Sequence, residues 1–152
     1  MSDPTESTRI IIVGVDGSAS SIAALTRAAQ IATALDAPLE AITTWEYPVM
    51  LDAYYPTEWS PQDDAEKILA TAVDQAFHGE PPPRFTQTAL QGSAARVLIE
   101  QSAHAAMLVL GSRGHGGFVG LLLGSVSAAC AEHAQCPVLI MHSPKPADTP
   151  DQ

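Results

Sequence analysis

Positive charge is what this chain has least of. Seven Lys and Arg stand against seventeen Asp and Glu in 152 residues, a formal net charge of −10, and no stretch gathers the basic residues together. Binding to a nucleic-acid backbone depends on clustered Lys and Arg, so no nucleic-acid partner is expected. A membrane surface is disfavoured on the same ground. Long apolar runs are also missing, and none approaches the roughly 18 residues that a membrane-spanning helix needs. The opening MSDPTEST is polar and acidic, unlike a secretory leader, so a cytoplasmic protein is the expectation.

Cysteine is nearly absent. Cys130 and Cys136 are separated by five residues, which is not the C-x-x-C spacing of metal or redox sites. They read as two buried thiols, one on the last helix and one before the last strand. The five histidines, His78, His104, His115, His133 and His142, are scattered without H-E-x-x-H or paired spacing. No metal site built from protein ligands is indicated. A serine nucleophile elbow, paired carboxylates and a Cys–His arrangement are equally lacking, so catalysis has little support.

What is present is a globular composition, 46% hydrophobic, in a length that suits one domain on the usual scale of about 100–200 residues. Residues 1–8 read as a disordered tail, 9–142 as the domain and 143–152 as a proline-rich flexible tail. Arg9 to Asp16, RIIIVGVD, is a continuous β-branched run of the kind found in central parallel strands. Ser18 to Leu35 carries apolar residues at helical spacing and stops at Asp36-Ala37-Pro38. Leu39 to Trp45 is a second strand. Residues 46–60 hold Tyr47, Tyr54, Tyr55 and Trp59 between prolines and read either as a functional loop or lid, or as aromatic packing or a partner surface. Ser60-Pro61 with Asp63 and Asp64 starts a helix with Ile68, Leu69, Ala72, Val73 and Ala76 inward. Arg84 to Leu90 is a weaker strand, at an edge. Ser93 caps a short helix reaching about His104, with Ala94, Val97 and Leu98 inward. Met107 to Leu110 is a central strand, Ser125 to Ala134 the final helix and Pro137 to His142 the last strand. This alternation, with right-handed crossovers, predicts a parallel sheet with helices on both faces.

The most informative stretch is Met107 to Ser127, MLVLGSRGHGGFVGLLLGSVS. A buried strand runs into a glycine loop and then into a helix start. Successive glycines let backbone N–H groups point into one concavity, and the first turn of a helix adds unpaired N–H groups and partial positive charge. That describes an anion site; a mobile glycine turn without a ligand is the bland alternative. The segment lacks the lysine of a P-loop, and G-H-G-G-F-V-G breaks the dinucleotide spacing. Asp16, at the carboxyl end of its strand, is placed either to meet a ribose or metal ion, or to cap the next helix together with Ser18, Ser20 or Ser21.

Gly111-x-x-Gly114, nine further residues and then Gly124-Ser125 resemble the ATP-binding loop of the universal stress protein family, G-2x-G-9x-G-[ST]. Val13 to Ser18 (VGVDGS) and Cys136 to His142 (CPVLIMH) extend the resemblance over nearly the whole chain. It departs from the family at Gln91-Gly92-Ser93, where proline is common, and at Ala106, where aspartate is common; both lie outside the phosphate loop. The resemblance implies an open five-stranded α/β sheet of order 3-2-1-4-5, of the adenine nucleotide alpha hydrolase type. It implies ATP, with Mg²⁺ offsetting charge, bound by Gly14, Asp16, the backbone near Ala41, Gly111, Ser112, Arg113, Gly114, Gly117, Gly124, Ser125, Val126 and Ser127. For Arg113 the alternative is an exposed side chain pointing to water. The resemblance further implies a stress-response sensor or signalling protein with slow hydrolysis at most, and a homodimer joined through Pro137 to His142. An ATP-cleaving or adenylate-forming α/β enzyme, or a dimeric scaffold that has lost the nucleotide, are the competing expectations.

Overall fold

The computed structural model describes residues 9–48, 59–113 and 123–143. Strands and helices alternate as β1 (Ile10–Gly14), α1 (Ala19–Leu35), β2 (Leu39–Trp45), α2 (Pro61–Phe77), β3 (Phe85–Gln91), α3 (Ala94–Ser102), β4 (Ala105–Gly111), α4 (Ser125–His133) and β5 (Val138–Met141). The strands form one parallel sheet in the order β3-β2-β1-β4-β5, as the resemblance implied. The two terminal tails and most of the aromatic segment fall outside the described residues.

β1 is central because its side chains are apolar on both faces. Ile11, Val13 and Val15 enter a core with Ala24, Leu25 and Ala28 of α1 and Leu69 and Ala72 of α2. Ile12 points the other way, into a core with Val97 and Leu98 of α3, Leu108 and Leu110 of β4 and Cys130 of α4. Each such fully buried aliphatic side chain contributes about 1.5–3 kcal/mol over an exposed one. With both faces covered, a continuous hydrophobic run is what the strand requires.

Helix ends follow local chemistry. The Ser18 hydroxyl caps α1 by accepting from the Ser21 N–H at 3.3 Å, and the Ser60 hydroxyl caps α2 by accepting from Asp63 at 3.2 Å. α1 stops at Asp36, in the left-handed conformation with φ 52°, one step before the position at which Pro38 acts. On α2 the buried stripe is Pro61, Ala65, Leu69 and Ala72, whereas Ile68, expected inward, is 44% exposed. The stripe advances by four and three residues per turn, and Ile68 lies on its flank. Ser93 holds the cap position of α3, yet its side chain makes no cap hydrogen bond.

Cys130 is fully buried, and burial, reinforced by the nearby Cys136, pushes its thiol up to about 11. Cys136 is half-buried, its thiol also raised by burial and partly relieved by the Leu108 main chain. Burial and a raised thiol both disfavour the reactive thiolate form.

Gly111, read from the sequence as part of the loop, is the last residue of β4 and pairs with Met141. A Cβ there would overlap the Ser20 hydroxyl and lie 2.8 Å from both the Ser20 carbonyl carbon and the Ser21 nitrogen. Glycine therefore lets the first turn of α1 seat directly on the end of β4. Gly111→Ala is expected to lower stability by about 1–3 kcal/mol through overpacking, measured as a shift of the urea midpoint at unchanged slope.

Candidate functional site

β1 ends early. Gly14 pairs with Ile42, while β2 continues to Trp45 and β4 to Gly111. The resulting notch lies at the switch point of the sheet, where the chain leaves β1 and β4 in opposite lateral directions. It opens into a cleft of about 590 Å³ walled by the starts of α3 and α4, a size typical of small-molecule sites. Its floor is apolar: Gly14, Ile42, Leu98, Leu110 and Val126. A Cβ on Gly14 would stand 2.7 Å from Leu110 Cδ2 and 2.9 Å from Leu98 Cδ1, so glycine keeps the floor low.

Of the residues marked from the sequence, Gly14, Asp16, Gly111, Arg113, Gly124, Ser125, Val126 and Ser127 line this cleft. Gly114 and Gly117 lie outside the described residues. The Ala41 side chain is fully buried in the core under α1 and α2, because strand alternation turns it away from the cleft. The neighbouring Ile42, Thr43 and Thr44 line the cleft instead. Main-chain direction singles out Thr44. The Ile42 carbonyl accepts from the Val15 N–H at 2.8 Å; Thr44, two residues on, directs its N–H and C=O to the same side, where β1 no longer runs. Neither group has a partner among the described residues.

Ser112 is buried and does not line the cleft; its main chain is a clamp. Its N–H donates to the Met141 carbonyl at 2.7 Å. Its carbonyl accepts from the Gly124 N–H at 2.6 Å and from the Ser127 hydroxyl at 2.9 Å. The Ser112 N–H and the Ser127 proton, both expected to serve an anion, are thus engaged in joining the end of β4 to β5 and to the start of α4. What faces the cleft is the first turn of α4. Gly124 precedes it with φ −74° and ψ 173°, and among the described residues no side chain caps the helix. The N–H groups of Ser125, Val126 and Ser127 therefore keep their capacity for an anion, aided by the helix dipole.

The opposite rim is built by the serines that open α1. Asp16 Oδ1 accepts from the Ser18 N–H at 2.9 Å, steadying the turn, while Ser18 rather than Asp16 is the cap. Asp16 remains exposed on the cleft side. The Ser20 hydroxyl donates to the Arg113 carbonyl at 2.7 Å and that of Ser18 lies 3.3 Å from the same oxygen. Asp16 and Arg113 are the charged residues lining the described part of the cleft.

The chain belongs to the universal stress protein family, whose sequence model matches residues 7–142. It is 33% identical over 131 residues to universal stress protein Rv2623 of Mycobacterium tuberculosis, covering 86% of this chain and 44% of that one. It is 32% identical over 145 residues to Rv1996 of the same organism, covering 92% and 46%. The chain thus spans about half the length of the curated relatives it matches. Among solved structures it resembles a universal stress protein in complex with cAMP, at 30% identity and TM-score 0.69 over 91% of this chain and 99% of that one. UspA from Lactobacillus plantarum, at 23% identity and TM-score 0.69 over 88% and 97%, shares the fold.

Removing the clamp's hydroxyl should be felt in stability. Ser127→Ala is expected to cost about 1 kcal/mol, or a melting temperature lower by about 2–4 °C for a chain of this size. Ser125→Ala, at an exposed hydroxyl, should leave it unchanged in the same scanning-fluorimetry experiment.

Proposed function

We propose that the protein binds ATP with Mg²⁺ in this cleft and acts as a nucleotide-dependent sensor or signalling protein in the stress response, with slow hydrolysis at most. The observation that carries the reading is the pairing, in one cleft, of an uncapped helix start with an apolar floor. The first suits phosphate and the second an aromatic base. ATP brings about three to four negative charges to a protein that is itself acidic, so attraction has to be local. The α4 N–H groups and Arg113 provide it. Mg²⁺ would be held chiefly by phosphate oxygens and its own waters, with Asp16 the nearby carboxylate. The similar protein solved with cAMP supports an adenine nucleotide as the ligand class. In-line phosphoryl transfer needs a positioned base and cations around the leaving oxygens. Arg113 is the cation lining the described cleft, so rapid turnover is not expected.

Heat denaturation of the purified protein is expected to release adenine nucleotide, with an elevated 260/280 nm absorbance ratio beforehand. The backbone angles at Gly124 are open to any residue, so Gly124→Val should fold while its side chain fills the space before α4. Calorimetry should then show ATP binding weaker by about 100-fold or more, equivalent to about 3 kcal/mol. Unchanged affinity in a folded variant would overturn the assignment, and rapid turnover of added ATP would favour the enzyme.

We further propose that Pro137 to His142 joins two copies. β5 lies at the sheet edge and its residues Val138 to Met141 are apolar and half-buried. Beside it, Ile22, Ala23 and Thr26 of α1 border a groove shared with Met141. An uncharged apolar edge invites pairing, and antiparallel pairing with a second copy makes a closed two-fold interface. Sedimentation over a concentration series is expected to show a dimer that Leu139→Pro dissociates or unfolds; a monomer persisting at high micromolar concentration would refute it.

A further inference from the structure

We propose that Ser20 is a positioning residue for the anion end of the cleft: by holding the Arg113 carbonyl, its hydroxyl sets the direction in which the Arg113 side chain meets phosphate. The inference rests on the nucleotide reading above and deepens it.

Ser20 does not touch a ligand itself. It is 1% exposed and does not line the cleft. Gly111 makes its seat, since a Cβ there would overlap the Ser20 hydroxyl. With that space open, the hydroxyl passes the end of β4 and donates to the Arg113 carbonyl, two residues on, at 2.7 Å. The Ser18 hydroxyl lies 3.5 Å from that of Ser20 and 3.3 Å from the same carbonyl, and it also accepts from the Ser21 N–H. Of the two contacts to the carbonyl, that of Ser20 is the shorter and the better shielded from water, and shielding strengthens a hydrogen bond. Ser20 is therefore the principal tether.

The consequence falls on one residue. The peptide group before Arg113 is held through the Ser112 carbonyl, which accepts from the Gly124 N–H and the Ser127 hydroxyl. The peptide group after it is held through the Arg113 carbonyl by Ser20. Peptide groups are planar, so two held planes determine both soft dihedrals of the residue between them, and with those the direction of its Cα–Cβ bond. One plane is tied to α4 and the other to α1. Arg113 lines the cleft together with the first turn of α4. A long cationic side chain loses rotational freedom when it meets an anion, and a fixed root lowers the total that binding must order. Removing the Ser20 hydroxyl releases the second plane and leaves the cation in the chain.

A hydroxyl that only stabilised the fold would act on every ligand alike, whereas a tether of Arg113 acts on phosphate and only through the cation. The test is calorimetry of the full chain with ATP and with adenosine, which has the same base and ribose but no phosphate. Four proteins are compared: wild type, Ser20→Ala, Arg113→Gln and the double variant. Ser20→Ala should weaken ATP binding about 3- to 10-fold and leave adenosine binding unchanged. Added to Arg113→Gln, it should cause no further loss. Ser20→Cys keeps a weaker donor, so its ATP affinity should fall between, and it gives the same readout if the Ala variant fails to fold. ATP affinity unchanged in Ser20→Ala or in Arg113→Gln, an equal loss for adenosine, or the full loss repeated in the double variant overturns the inference alone. Wild-type protein that binds neither ATP nor adenosine overturns the nucleotide reading and this inference with it.

Discussion

The early end of β1 is the constraint from which the site follows. After Gly14 the chain turns through Asp16 and Gly17, whose φ of 87° suits glycine. The Asp16 carboxylate fixes the Ser18 N–H so that α1 starts at once. β2 and β4 run on without a strand between them, and the main-chain groups of Thr44 are left facing open space. Had β1 continued, it would have filled the notch and paired those groups. The apolar floor is simply the upper surface of the core between the sheet and α3 and α4.

Around that notch, hydrogen-bonding capacity is divided. The Ser112 carbonyl takes two donors and its N–H is given to β5, which brings the end of β4, the end of β5 and the start of α4 to a single point. The serines of α1 hold the Arg113 carbonyl. Groups that anchor the frame are therefore spent, and those left for a ligand are the first-turn N–H groups of α4. A protein of net charge −10 has little long-range attraction for an anion, and fixed dipoles at short range are the available remedy.

Much of the fold was legible in the chain. The β-branched run around Ile11 to Val13 needs two covered faces, and Ser60-Pro61 with two acids is a helix start by local chemistry alone. Ser18 as the cap of α1 is of the same kind. The glycine loop likewise announced a strand, a turn and a helix N-terminus. Errors arose where a residue's role depends on its neighbour in space. Gly111 looked like loop glycine because its reason, the close approach of Ser20, is 91 residues away in sequence. Ser127 looked like a phosphate donor because nothing local reveals that its proton goes to Ser112.

By itself, the sequence determined which segments form strands and helices, that the sheet is parallel and covered, and, through the spaced glycines, the family. These are properties of local propensity and periodicity, which act over a few residues. Tertiary structure alone decided which donors are consumed and which remain open, and which stretch of β2 lines the notch. The reason is that pairing is a matter of proximity: whether an N–H or hydroxyl is free depends on the atoms within about 3 Å of it, and those come from distant parts of the chain.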